Sequence, residues 1–88
     1  MPRYFFHVLD GRAAIDVNGL FLANENQARV EALRGAGEML ADDDMNVWLG
    51  NEWMMAVTDA TGSILFKLRF AVEFPRPPTA TVSQGHLA

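Results

Sequence analysis

Apolar and polar positions change period twice along the chain, and those changes divide it into elements. Arg3–Leu9 (RYFFHVL) is dense in aromatic and β-branched side chains and ends at Asp10-Gly11, a strand running into a hairpin turn. A returning strand is expected over roughly Ala13–Val17. Asn18-Gly19 then marks another tight turn, and Leu20-Phe21-Leu22 is a short apolar run fit for a third strand. From Asn24 the period becomes helical. Asn24 suits an N-cap, with Gln27 at N3 and Glu25 in the first turn. Ala28, Ala32, Leu33, Ala36, Met39 and Leu40 form one apolar face, opposite Gln27, Glu31, Arg34 and Glu38. Gly35 and Gly37 weaken such a helix, and close approach to a sheet or a bend near its end would account for them. Asp42-Asp43-Asp44 reads as the helix stop.

Period two returns in Glu52–Thr58 (EWMMAVT) and Ser63–Phe70 (SILFKLRF), joined by Asp59-Ala60-Thr61-Gly62. That loop fits a type I turn with Gly62 in the left-handed position. Ile64, Phe66, Leu68 and Phe70 alternate with Ser63, Leu65, Lys67 and Arg69, which predicts one buried face. The expected fold class is therefore α+β: two β-hairpins flanking one α-helix (β-β-α-β-β), an antiparallel sheet with the helix on one face. Residues 1–74 form the single domain. Residues 75–88, rich in proline at their start, read as a disordered tail.

One helix leaves one sheet face uncovered. Tyr4, Phe6 and Val8 oppose Arg3, Phe5, His7 and Leu9, so at least one aromatic stays on the outer face whichever side the helix takes. That face is expected to gather Phe5, Leu9, Met54 and Leu65, rimmed by Arg3, Lys67 and Arg69. An apolar patch with a charged rim points to an interface, against the plainer reading of scattered surface hydrophobes. With 88 residues and no cysteine, the chain has neither a large core nor disulfides, and association is the remaining route to burial. A homodimer is the expected partner state.

The net charge of −4, from seven basic and eleven acidic residues, argues against a nucleic-acid partner. No apolar run approaches the ~20 residues of a membrane span, and Tyr4–Leu9 is too short for a signal peptide, so a cytoplasmic location is expected.

Candidate chemistry is thin. His7 stands without a cysteine, serine elbow or second histidine near it, and reads as a strand residue. Asp42, Asp44 and Asn46 match the start of a calcium loop, but Val47 replaces its glycine and Trp53 its glutamate, so no metal is expected. Asp16-Val17-Asn18-Gly19 reads as turn chemistry. Arg29, taken near the middle of the helix's apolar face, is expected to pair with Asp10, Asp16 or Glu52. Trp48, Trp53 and Arg29 form a possible pocket for a small molecule or peptide, although tryptophans closing the core below the helix are the favoured account of the pair. No cofactor and no enzymatic activity are expected.

The opening MPRYFFHVLDG, the D-V-N-G turn, the helical A-R-V-E-A-L-R, the W-x-x-x-V-T-D strand and the closing G-S-I-L-F-K-L-R-F together resemble a family of short bacterial proteins classed as a domain of unknown function. The resemblance spans roughly residues 1–72 and implies no activity, cofactor or catalytic residue. Small antitoxins with a β-β-α-β domain share the topology, but the DNA-binding ribbon or helix pair they use has no counterpart here.

Overall fold

The computed structural model describes residues 1–42 and 47–75. It contains β1 (Arg3–Leu9), β2 (Ala13–Ala14), β3 (Leu20–Phe21), α1 (Glu25–Ala41), β4 (Trp53–Thr58) and β5 (Ile64–Phe70). Every strand pairing is antiparallel, in the order β2-β1-β4-β5, with β3 also on β1. The α+β class and the single helix agree with the periodicity. The strand order adds something local pattern cannot carry: β1 is interior, between β4 and the β2/β3 pair, whereas β5 is an edge.

The helix starts where capping chemistry starts it. Asn24 is extended, and its Oδ1 accepts the Gln27 amide hydrogen at 2.9 Å, while Gln27 Oε1 accepts from the Ala23 amide. Ala28, Ala32 and Ala36 are buried against the sheet, with Leu40 packed at the margin. Beneath them lie Tyr4 and Val8 of β1 and Trp53, Met55 and Val57 of β4, flanked by Phe6, Phe66 and Leu68. Leu33 and Met39, expected on the buried face, are instead 65% and 44% exposed. They sit on the two shoulders of an alanine ridge, where the sheet curves away from a narrow helix.

Two further expectations need correction. A side chain added at Gly35 or Gly37 would meet nothing within 4 Å, so the alanines alone produce the close packing. Leu65 does not join the outer face. Val57 pairs with Phe66 and Thr58 with Ile64, which leaves Leu65 as the surplus residue of a β-bulge. The bulge turns Leu65 toward the core cluster and puts the 56% exposed Ile64 opposite outer-face Thr58. One inserted residue reverses the alternation.

The β4–β5 turn forms as its sequence predicts. Gly62 has φ +88 and donates its amide hydrogen to the Asp59 carbonyl, while Asp59 Oδ1 accepts from the Thr61 and Ser63 amides and the Thr61 hydroxyl. Of the tail expected at 75–88, all but Pro75 lies outside the described residues, as does most of the calcium-like stretch, 43–46.

Small substitutions on α1 separate these roles. Ala32→Leu, on the fully buried ridge, is expected to lose about 1–3 kcal/mol in chemical denaturation through overpacking. Gly37→Ala meets no atom and is expected to gain about 0.5–1 kcal/mol.

Candidate functional site

The strand expected over Ala13–Val17 stops after two residues, and the reason lies in Asp16. Val8 pairs with Ala14 and Tyr4 with Leu20, so four steps along β1 are matched by six along its partner. The two surplus residues force residues 15–19 out of the ladder. Asp16 repairs the gap with its side chain: Oδ2 accepts the Phe6 amide hydrogen at 3.1 Å, and Oδ1 accepts those of Asn18 and Gly19 at 3.1 and 3.0 Å. D-V-N-G is thus an Asx turn, as expected, with its second oxygen serving the strand.

The backbone of Asp16 is held as well. Its amide donates to His7 Nδ1 at 3.1 Å, and His7 Nε2 lies 3.2 Å from Thr58 Oγ1. A backbone N–H can only donate, so Nδ1 is the bare nitrogen and Nε2 carries the hydrogen that Thr58 accepts. The contact order resembles a hydroxyl–imidazole–aspartate relay but runs backwards. With Nε2 already protonated, this imidazole cannot take the Thr58 proton, and the aspartate meets it through the main chain. The network fastens β1, β4 and the edge segment together.

Burial pushes the Asp16 carboxyl upward, but the Gly19, Phe6 and Asn18 amides and the nearby His7 outweigh it and hold it below the ordinary aspartate value. Gly19 closes the segment. At φ +69 its α-carbon lies so close to β1 that a β-carbon would stand 2.8 Å from the Tyr4 carbonyl oxygen and 2.9 Å from the Phe5 ring. Arg3 completes the clamp, donating from Nε to the Asn18 carbonyl at 2.9 Å, with its guanidinium over the Phe5 and Phe21 rings.

The outer-face residues accordingly sit in a different setting from the one expected. Phe5, Leu9, Met54 and Leu65 are all half-buried, Phe5 in part beneath residues 18–21 and Leu65 against the core. Phe5 also stacks on His7 at 6.4 Å. The possible pocket of Trp48, Trp53 and Arg29 is dispersed. Trp53 is buried in the core, Trp48 is exposed and tilted against Phe74 at 6.2 Å, and Arg29 is exposed and bound to Glu25 at 3.1 Å. Arg29 does form an ion pair, but one turn away along its own helix rather than with Asp10, Asp16 or Glu52. Its position falls beside the alanine ridge, not within it.

The structure offers instead a groove between α1 and the edge segment. A cavity of about 440 Å³ has Phe6, Val8 and Met55 toward the sheet, Gly35 and Met39 on the helix, and Ile15 and Leu20 on the edge segment. A second, of about 350 Å³, continues it past Leu22, Gln27 and Val30, and Glu31 lines both. From Gln27 to Met39 the groove follows about 18 Å of helix. Its charges are already satisfied: Asp16 by backbone amides, Glu31 by Arg34, which also binds Glu38. Exposed apolar side chains border it, Ile15 and Leu20 on one side and Val30 and Met39 on the other, while Phe21 of the same edge segment is exposed on the outer face beside Arg3. Sequence reasoning passed over this set because Ile15 and Leu20 read as ordinary strand residues. Among the described residues no group of three or more His, Asp or Glu could hold a metal, and no helix is long and apolar enough to cross a membrane.

Fold and groove together define a small α+β domain with an apolar, charge-satisfied cleft beside α1. Residues 3–71 match the family described as Domain of unknown function (DUF6894), and the chain belongs to it. No curated protein and no solved structure matches the chain.

The Asp16 network carries measurable stability. Asp16→Ala is expected to cost roughly 3 kcal/mol, since hydrogen bonds to a charged acceptor contribute about 1.5–3 kcal/mol each. Gly19→Ala is expected to cost about 2 kcal/mol or more, from the left-handed backbone and the Tyr4 carbonyl. Gly11→Ala, at φ +98 but with open space around it, should lose about 1–2 kcal/mol, the cost of the left-handed backbone alone. Because the native Asp16 carboxyl titrates below its unfolded value, its contribution is fully present above the unfolded pKa and fades as pH falls through the native one. Urea midpoints measured across the acid range should therefore fall less steeply for Asp16→Asn than for the natural chain.

Proposed function

We propose that this domain is a non-enzymatic interaction module that self-associates through the groove flank formed by residues 15–21 and α1. The observation that supports this reading is the set of exposed apolar side chains that line the groove, Ile15, Leu20, Val30 and Met39, with Val17 and Phe21 also exposed on the same edge segment. The half-buried set Phe5, Leu9 and Met54, without the inward-turned Leu65, is a weaker foundation. Two copies meeting flank to flank bury those side chains without setting unpaired charges against each other, because Asp16 and Glu31 already have partners. A chain of 88 residues gains the burial that its single helix cannot supply. A bacterial source fits the resemblance of the opening and closing strands, and a cytoplasmic location fits the lack of cysteine.

The cavity itself favours a second reading, a binder of small apolar molecules. Its volume of about 440 Å³ lies within the range of about 300–1,000 Å³ usual for ligand sites.

Light scattering distinguishes the two. Self-association predicts a mass near twice 9.8 kDa for the natural chain and 9.8 kDa for a folded Leu20→Asp/Val30→Glu variant. Its melting temperature should also rise with protein concentration. A natural chain that stays at 9.8 kDa at millimolar concentration overturns the dimer. A melting temperature raised by medium-chain fatty acids at fixed protein concentration would then favour the binder.

A further inference from the structure

The opposite edge of the sheet has another chemistry. β5 runs for seven residues, Ile64–Phe70, and no strand among the described residues pairs with its outer side. It contains no proline, and beyond the bulge Phe66–Phe70 is regular, so its free main-chain groups can accept a further strand. Its faces are sharply divided. On the outer face Lys67 and Arg69 are exposed, opposite Ala56 and Met54. On the helix face Leu68 and Phe70 join Leu33 and Leu40 around a groove of about 240 Å³.

From this juxtaposition we infer that the β5 edge binds an extended segment of a partner protein in which acidic and apolar residues alternate. Main-chain pairing with β5 fixes the segment as an added strand. Its apolar side chains, all on one face, enter the groove beside Leu33, Leu40, Leu68 and Phe70. Its acidic side chains, all on the other, meet Lys67 and Arg69. Cross-strand opposite charges stabilise such pairing and like charges oppose it.

The same rule argues against other occupants. Antiparallel pairing of two β5 strands, in the registers that use most of the strand, sets Lys67 against its own copy or against Arg69. The chain's own residues 76–88 contain no acidic side chain to complement these cations. Arg69 has Glu52 at 3.7 Å, an exposed and loose pair that an incoming carboxylate can replace. This surface lies across the sheet from the proposed self-association flank and does not depend on it.

The test is a titration of the full chain with the blocked peptide acetyl-Val-Glu-Val-Glu-Val-Glu-Val-amide, followed by amide NMR and calorimetry. Shifts are expected along residues 64–70 and at Leu33 and Leu40. Affinity should fall about tenfold or more when lysine replaces glutamate in the peptide, and should weaken with added salt. A peptide with proline at its centre should not bind. Lys67→Glu/Arg69→Glu should reverse the preference for peptide charge, and Lys67→Gln/Arg69→Gln, which introduces no repulsion with Glu52, should abolish it. Equal binding of acidic and basic peptides, shifts confined to residues 13–21, or no binding of the acidic peptide at millimolar concentration would each overturn the inference. A monomeric mass in light scattering would overturn only the self-association reading.

Discussion

The structure depends on a mismatch of widths. Four strands abreast span about 14 Å between the outer axes, at about 4.8 Å spacing. One helix is only ~10 Å across with side chains, and less where those are alanine. Ala28, Ala32 and Ala36 let α1 settle tightly onto β4, which makes Met55 and Val57 the most deeply buried large side chains. Tight seating and broad cover exclude each other. A ridge of larger residues would stand higher and reach further sideways, whereas the alanine ridge leaves a cleft along each flank. Leu33 and Met39 are exposed for that reason, and the core is a narrow strip of Tyr4, Val8, Trp53, Met55 and Val57 beneath the helix.

The two sheet edges answer this constraint differently. On the β1 side, a continuous partner strand would leave a long regular edge open. Two surplus residues interrupt it, and the Asp16 carboxylate takes over hydrogen bonds the ladder lacks. The interruption lets residues 17–21 fold toward the outer face, where Gly19 and Arg3 lock them over Phe5. The aromatics crowded into the opening strand thus divide their work. Tyr4 and Phe6 serve the core, and Phe5 supports the segment that closes the edge. On the β5 side, the described residues supply only the bulge at Leu65 and the two exposed cations.

What the sequence made legible follows from the range of each signal. Period two and period 3.6 are local, so both hairpins, the Asn24 cap and the grouping of Tyr4, Phe6 and Val8 on one face could be read directly, but not that the helix covers that face. The Asx turn at Asp16 is also local, and D-V-N-G announces it. Its second oxygen, taking the Phe6 amide across ten positions, is not announced by any spacing. Strand order depends on pairing between β1 and β4, far apart in the chain, and so the interior place of β1 was invisible. Leu65 misled because a bulge leaves composition unchanged while reversing side-chain direction. Arg29 misled for a related reason: an apolar face drawn wide enough to include Leu33 also takes in residues between it and the ridge. Narrowing that face to alanines exposes Arg29 and hands it to Glu25.

Charge satisfaction then sorts the surfaces left open. Along the groove beside residues 15–21, the carboxylates are already bound by backbone amides or by Arg34, so nothing there selects for the sign of a partner. Area and shape govern that flank, and under the self-association we propose a second copy supplies both. Along β5, Lys67 has the apolar Ala56 as its cross-strand neighbour, and Arg69 reaches Glu52 only at 3.7 Å. Sign matters there, since a strand laid on that edge must bring its outward side chains level with these cations. On the inference that this edge repels its own copy and attracts acidic strands, a chain of net charge −4 would separate association with itself from association with others. The same narrow helix that weakens the core by its limited cover therefore leaves two clefts of unlike chemistry, one on either side of a single row of alanines.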